Sequence, residues 1–209
     1  MIILKKIFHK INSLFSNKIK LNQSITRNLS LNKINILDVG AAGLNHKNKF
    51  YNSFNRQITK VIKADDILTE QKQKNEQQIN TLLWSENIKK NFYVTKNKVS
   101  SSLFRINDEI LKDFKNFEEH KITEIKEVST RKIKDIKEID KCNFLKLDAE
   151  GAELEIMKGM DNKINNILGI EIEIQFINRY IGSPNFTEVN KFLEENGFEL
   201  YLMNSESWI

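Results

Sequence analysis

The chain has 209 residues, 40% hydrophobic and 29% charged, with a net charge of +5. That length suits one compact domain with a short extension, and the balance is that of an ordinary globular protein. No run approaches the about 20 apolar residues of a membrane span, Cys142 is the only cysteine, and His9, His46 and His120 are too scattered for a zinc site.

Lys, Asn and Ile are used heavily along the whole chain, so the basicity reads as a compositional bias. Lysine outnumbers arginine and no Arg/aromatic stripe appears, so no nucleic-acid partner is expected. A reducing, cytoplasmic location is expected from the lone cysteine.

In residues 1–22, Ile3, Leu4, Ile7, Phe8, Ile11, Leu14 and Phe15 recur at helical spacing between lysines. The spacing predicts a basic amphipathic helix within an extension over residues 1–30. Two readings stay open: peripheral attachment to an anionic membrane surface, or packing on the main domain, residues 31–209.

From Lys33 the pattern changes. Residues 34–39 and 61–65 read as short buried strands, the first ending in Gly40-Ala41-Ala42-Gly43 and the second in Asp65. Residues 70–78 are polar and read as the outer face of a helix. Residues 80–94 read as strand, turn, strand, and residues 107–141 as solvated helices with an exposed strand. Residues 143–148 read as a strand, 152–160 as a helix, and 167–176 as a long strand. Residues 186–196 read as a helix stopped by Gly197, and 198–203 as a last strand. Strands alternating with helices imply a doubly wound, mostly parallel sheet with helices on both faces. Ligands of such sheets bind beyond the carboxyl ends of the strands, where these glycines and acids fall.

Gly40 and Gly43 permit a tight turn and close backbone approach, and Ala41 and Ala42 add little bulk. The run is neither a G-x-G-x-x-G dinucleotide motif nor a phosphate loop. Asp38 is placed to accept hydrogen bonds from loop amides or a ligand ammonium, and Asp65 to accept ribose hydroxyls, with Asp66 its rival. Lys146 and Asp148 share a face of a strand that should be apolar on both sides, so they must pair or serve a site. Glu150 follows in the loop. Glu171 and Glu173 repeat the anomaly, which an edge strand with one wet face also explains. Ser101 lies in the Ser100-Ser101-Ser102 run, which a turn also explains.

At these residues the chain resembles the FkbM family of methyltransferases. Residues 36–43 are similar to its cofactor motif, and FLKLDAEGAELEIMKGM, residues 144–160, to its most distinctive segment. Ser100 to Leu103, Ile170 to Glu173 and Phe186 to Phe198 also resemble family segments. The likeness runs in order over residues 34–203.

The resemblance implies a Rossmann-like class I methyltransferase fold using S-adenosyl-L-methionine. Asp38, Gly40, Ala41, Ala42, Gly43 and Asp65 would bind the cofactor. It implies methyl transfer to an oxygen, a hydroxyl of a sugar, glycan or natural product, with Asp148, Glu150 and Lys146 as catalytic candidates. Ser101, Glu171 and Glu173 are candidates for holding the acceptor. No sequence feature requires a metal. The rival readings are a non-catalytic cofactor- or partner-binding module, opposed by the intact acids, and a nicotinamide oxidoreductase, opposed by the missing third glycine.

Overall fold

The computed structural model describes residues 2–5, 33–40, 58–65 and 76–203. In chain order its strands and helices are β1 (Ile2–Lys5), β2 (Ile34–Val39), β3 (Ile58–Asp65), β4 (Glu76–Asn80), β5 (Leu82–Leu83), β6 (Lys89–Thr95), α1 (Asp108–Leu111), α2 (Phe117–His120), β7 (Ile122–Arg131), β8 (Phe144–Leu147), α3 (Glu153–Lys158), β9 (Gly169–Ile172), α4 (Phe186–Glu195) and β10 (Phe198–Leu202). The main sheet runs β10-β1-β9-β8-β2-β3-β4, and β5-β7-β6 form a second, smaller sheet.

The five strands from β4 to β9 are parallel, as the alternation of strands and helices requires. Their centre is apolar: Ile36, Leu37, Ile62, Leu145, Leu147, Ile170 and Ile172 are essentially inaccessible. Burial of such side chains stabilises by about 1.5–3 kcal/mol each. Helix α4 forms where expected because Asn185 accepts from the Thr187 and Glu188 amides while Glu188 reaches back to the Asn185 amide, a complete capping box. Helices α3 and α4 pack on each other. The connections from β2 to β3 and from β3 to β4, which would carry helices for the opposite face, fall largely outside the described residues.

Several expectations are corrected. The start of the expected N-terminal helix, Ile2–Lys5, is instead strand β1, antiparallel to both β9 and β10. A short apolar run fits either period, and here a vacant place between two strands decides. Residues 6–32 lie outside the described residues. Residues 76–78, expected as the end of a helix face, belong instead to the polar edge strand β4, with Glu76 paired to Lys63 at 2.9 Å. Strands β5 and β6 do not pair with each other, because β7 lies between them. The long strand expected over 167–176 is only Gly169–Ile172, and it lies inside the sheet, between β8 and β1. An edge position therefore does not explain Glu171. Among the described residues, no helix is long and apolar enough to cross a membrane.

Candidate active site

The chain reverses its direction of winding between β2 and β8, which are neighbours in the sheet though far apart in sequence. A crevice opens at the carboxyl ends of strands at such a switch point. Here the sheet register aligns Lys63, Asp38, Lys146 and Glu171 as successive partners on β3, β2, β8 and β9. In-register residues of parallel strands point to the same face, so charges alternate in sign across four strands. Lys146 Nζ lies 2.8 Å from Asp148 Oδ2 and 3.6 Å from Asp38 Oδ1. This row explains how charges are tolerated in a sheet that should be apolar: each is offset by its neighbour.

Burial alone would lower the Lys146 ammonium. The carboxylates of Asp148, Asp38 and Glu171 outweigh it and hold the group above the usual lysine range. Asp38 is fully buried beneath the crevice and is not among the described residues that line it.

Above the row, β8 ends in the turn Asp148-Ala149-Glu150-Gly151. Glu150 has φ of +52°, a left-handed conformation uncommon outside glycine. Three contacts hold it there. Glu153 Oε1 accepts from the Ala149 amide at 2.8 Å and the Gly151 amide at 3.3 Å, and Ser102 Oγ donates to the Glu150 carbonyl at 2.6 Å. The Glu150 side chain is fixed separately. Tyr180 Oη donates to its Oε2 at 2.6 Å, and Arg179 Nη2 lies 3.8 Å from the same atom.

Glu173 enters from just beyond β9, where its amide still donates to the Leu147 carbonyl at 2.9 Å. One carboxylate oxygen each of Asp148, Glu150 and Glu173 lie within 4.8 Å of one another. Burial, then the neighbouring Glu150, Asp148 and Glu153, push Glu173 up to about 9, so it carries a proton at neutral pH. Burial pushes Glu153 up to about 7, opposed by its own backbone amide and that of Ala149. Burial also raises Glu150, opposed by Arg179 and the Tyr180 hydrogen bond. Charge in the cluster is thus balanced by Lys146, Arg179 and a retained proton, an arrangement suited to accepting and donating protons near neutrality.

The crevice itself is a cleft of about 570 Å³, open at its mouth. Gly40, Ala64, Leu83, Phe92, Ser101, Asp148 and Glu150 are among the residues that line it. Gly40 has φ of +77°, and a Cβ there would collide with the Asp148 carbonyl oxygen. Its glycine is therefore required by the packing of two turns as well as by any ligand.

The structure thus brings Gly40, Ser101, Asp148, Glu150 and Glu173 together and sets Asp38, Lys146 and Glu171 behind them. Ser101 is also structural, since its Oγ accepts from the Thr95 amide at 3.1 Å. Asp65 ends β3, but its side chain, like Ala41, Ala42, Gly43 and Asp66, lies outside the described residues. Arg179 and Tyr180 escaped the sequence reading, and Ser102 and Glu153 stood in it only as members of the serine run and the distinctive segment, without a role. Glu153 carried a faint signal, an acid placed to fold back on its own turn. Arg179 and Tyr180 carried none, because their loop has no distinctive local pattern.

Neither the curated proteins nor the solved structures contain a match to the chain. The family model described as the methyltransferase FkbM domain matches residues 16–200, which includes every described side chain of the cleft. The family implies S-adenosylmethionine as methyl donor, and the parallel sheet with its cleft at the switch point agrees with it. On that match the chain belongs to the FkbM methyltransferase family.

Proposed function

We propose that the protein methylates a hydroxyl oxygen of a small molecule or glycan, with Glu150 as the base. The observation that carries this reading is the Glu150 carboxylate, raised above the ordinary range by burial and fixed by Tyr180 and Arg179 on the wall of the cleft. A base poised toward neutrality can take a hydroxyl proton as the oxygen becomes a nucleophile.

The cleft suits the family's donor. Gly40 and Ala64 add little bulk to its lining, Leu83 and Phe92 offer apolar surface for a purine, and Asp148 and Glu150 offer negative charge to a cationic ligand. S-adenosylmethionine, when bound, supplies a methyl group already activated on a sulfonium. Gly40, with Ala41, Ala42, Gly43 and Asp65, would hold the donor, and Ser101 and Glu173 would face the acceptor. Lys146 fixes the Asp148 carboxylate at 2.8 Å, which orients it toward the cleft. Glu173, protonated, donates a hydrogen bond to the acceptor oxygen. Glu150 would receive the hydroxyl proton as the acceptor oxygen is methylated. Most of the rate then comes from alignment of the attacking oxygen.

The test is transfer of labelled methyl from S-adenosylmethionine to a panel of methyl glycosides, oligosaccharides and hydroxylated aromatics. An ether product survives mild alkali, whereas a methyl ester releases methanol. Glu150→Gln is expected to lose about 100-fold or more in turnover, with binding of S-adenosylhomocysteine retained. Normal turnover by that variant, or an alkali-labile product, overturns the reading.

A further inference from the structure

Tyr180 is fully buried, yet it ends on the reactive side of the molecule. Its loop is pinned to the segment before α1: Tyr180 bridges Ile106, the Asn107 amide donates to the Arg179 carbonyl at 2.8 Å, and the Ile181 amide donates to the Arg105 carbonyl at 2.8 Å. The ring packs with Ile106 and Leu111. The phenol is therefore held in place independently of Glu150.

Its hydroxyl meets two acceptors, Glu150 Oε2 at 2.6 Å and the Ser100 carbonyl at 3.1 Å. A phenol has one proton and cannot donate to both. That proton has two places to go. With Glu150 ionised, the phenol donates to Oε2. With a proton on Oε2, the carboxyl donates to the phenol oxygen and the phenol turns its own proton to Ser100. No donor in either arrangement is left without an acceptor, so Glu150 can gain and lose a proton in a buried site without stranding a donor.

We infer that Tyr180 is a positioning residue for Glu150, switching its single proton between the Glu150 carboxylate and the Ser100 carbonyl as Glu150 changes protonation state. The inference rests on the reading of Glu150 as the base. Other groups face the same carboxylate: Arg179 from the Tyr180 loop, Asp148 and Glu153 from the β8–α3 turn, Lys146 from β8 and Glu173 from beyond β9. Among the described residues, Tyr180 is the one whose hydroxyl is hydrogen-bonded to this carboxylate, with a second acceptor in reach.

The test follows the Glu150 carboxyl directly, in the full chain labelled with ¹³C at glutamate Cδ, its resonance assigned by loss in Glu150→Gln. Tyr180→Phe keeps the ring and removes the proton. The Glu150 titration midpoint is expected to rise by about one pH unit, since a donor to the charged form has gone. Fluorotyrosine at position 180 keeps the hydroxyl and makes it a stronger donor, so the midpoint should fall. That arm decides the matter if Tyr180→Phe does not fold. A midpoint unmoved in either folded variant overturns the inference. Failure of the base reading shows separately, as undiminished methyl transfer by Glu150→Gln.

Discussion

Gly40 lies directly against the carbonyl of Asp148, so the turn that follows β2 and the turn that follows β8 share one contact. Two segments more than a hundred residues apart in sequence thereby fix each other along the cleft, and the Asp148 amide reinforces them by donating to the Val39 carbonyl at 3.2 Å.

Substitution at Gly40 is therefore expected to damage fold and site together. Gly40→Ala forces a side chain into a left-handed conformation and against backbone, which costs on the order of 1–3 kcal/mol. Thermal melts should show a clear loss of stability, and calorimetry a loss of S-adenosylhomocysteine binding in whatever remains folded. A Gly40→Ala protein as stable as wild type would mean the two turns are not in contact.

Lys146 holds the alternating row of charges. Lys146→Met leaves the buried Asp38 without its Lys146 partner at 3.6 Å and frees the half-exposed Asp148. Removing one partner of a buried pair costs about 3–5 kcal/mol, and the solvent around Asp148 places the expected loss at the lower end. Urea unfolding measures it directly. Asp148→Asn, in contrast, should keep the melting temperature within a few degrees and lose most methyl transfer.

The buried acids set the pH dependence of stability. Glu173, raised to about 9, and Glu153, raised to about 7, bind protons in the folded state that the unfolded chain has released. Their contribution is full below the ordinary glutamate range and is lost as pH rises through about 7 for Glu153 and about 9 for Glu173. The melting temperature should therefore decline between mildly acidic and alkaline pH. Glu173→Gln, uncharged throughout, should flatten the upper part of that decline and melt higher than wild type in alkali.

Strand β1 bridges β9 and β10, with Ile3 aligned between Ile170 and Leu200. A chain begun near residue 31 loses that bridge, and Ile3→Pro interrupts it. A proline inside a paired strand removes a ladder hydrogen bond. Both changes should lower the melting temperature, while the folded fraction binds S-adenosylhomocysteine with wild-type affinity, because β9 stands between β1 and the strands of the switch point. Loss of affinity in the folded fraction would place the N-terminus in the site.

Much of this protein is written locally. Largely apolar runs ending in Gly or Asp marked β2 and β8, and Gly197 marked the end of α4, because strand periods and helix stops act over a few neighbouring residues. Asp148 and Glu150 were legible for the same reason: charge in an otherwise apolar strand and its turn is costly unless it serves something. The tertiary structure decided which charges meet. Lys146 reaches Asp38 only because β8 docks beside β2, and Tyr180 reaches Glu150 across thirty residues only because its loop is pinned to Arg105, Ile106 and Asn107. It also made Ile2–Lys5 a strand, since a short apolar run takes the period of whatever it packs against. Pairings of that kind arise from closing the chain on itself, and no local pattern of residues encodes them.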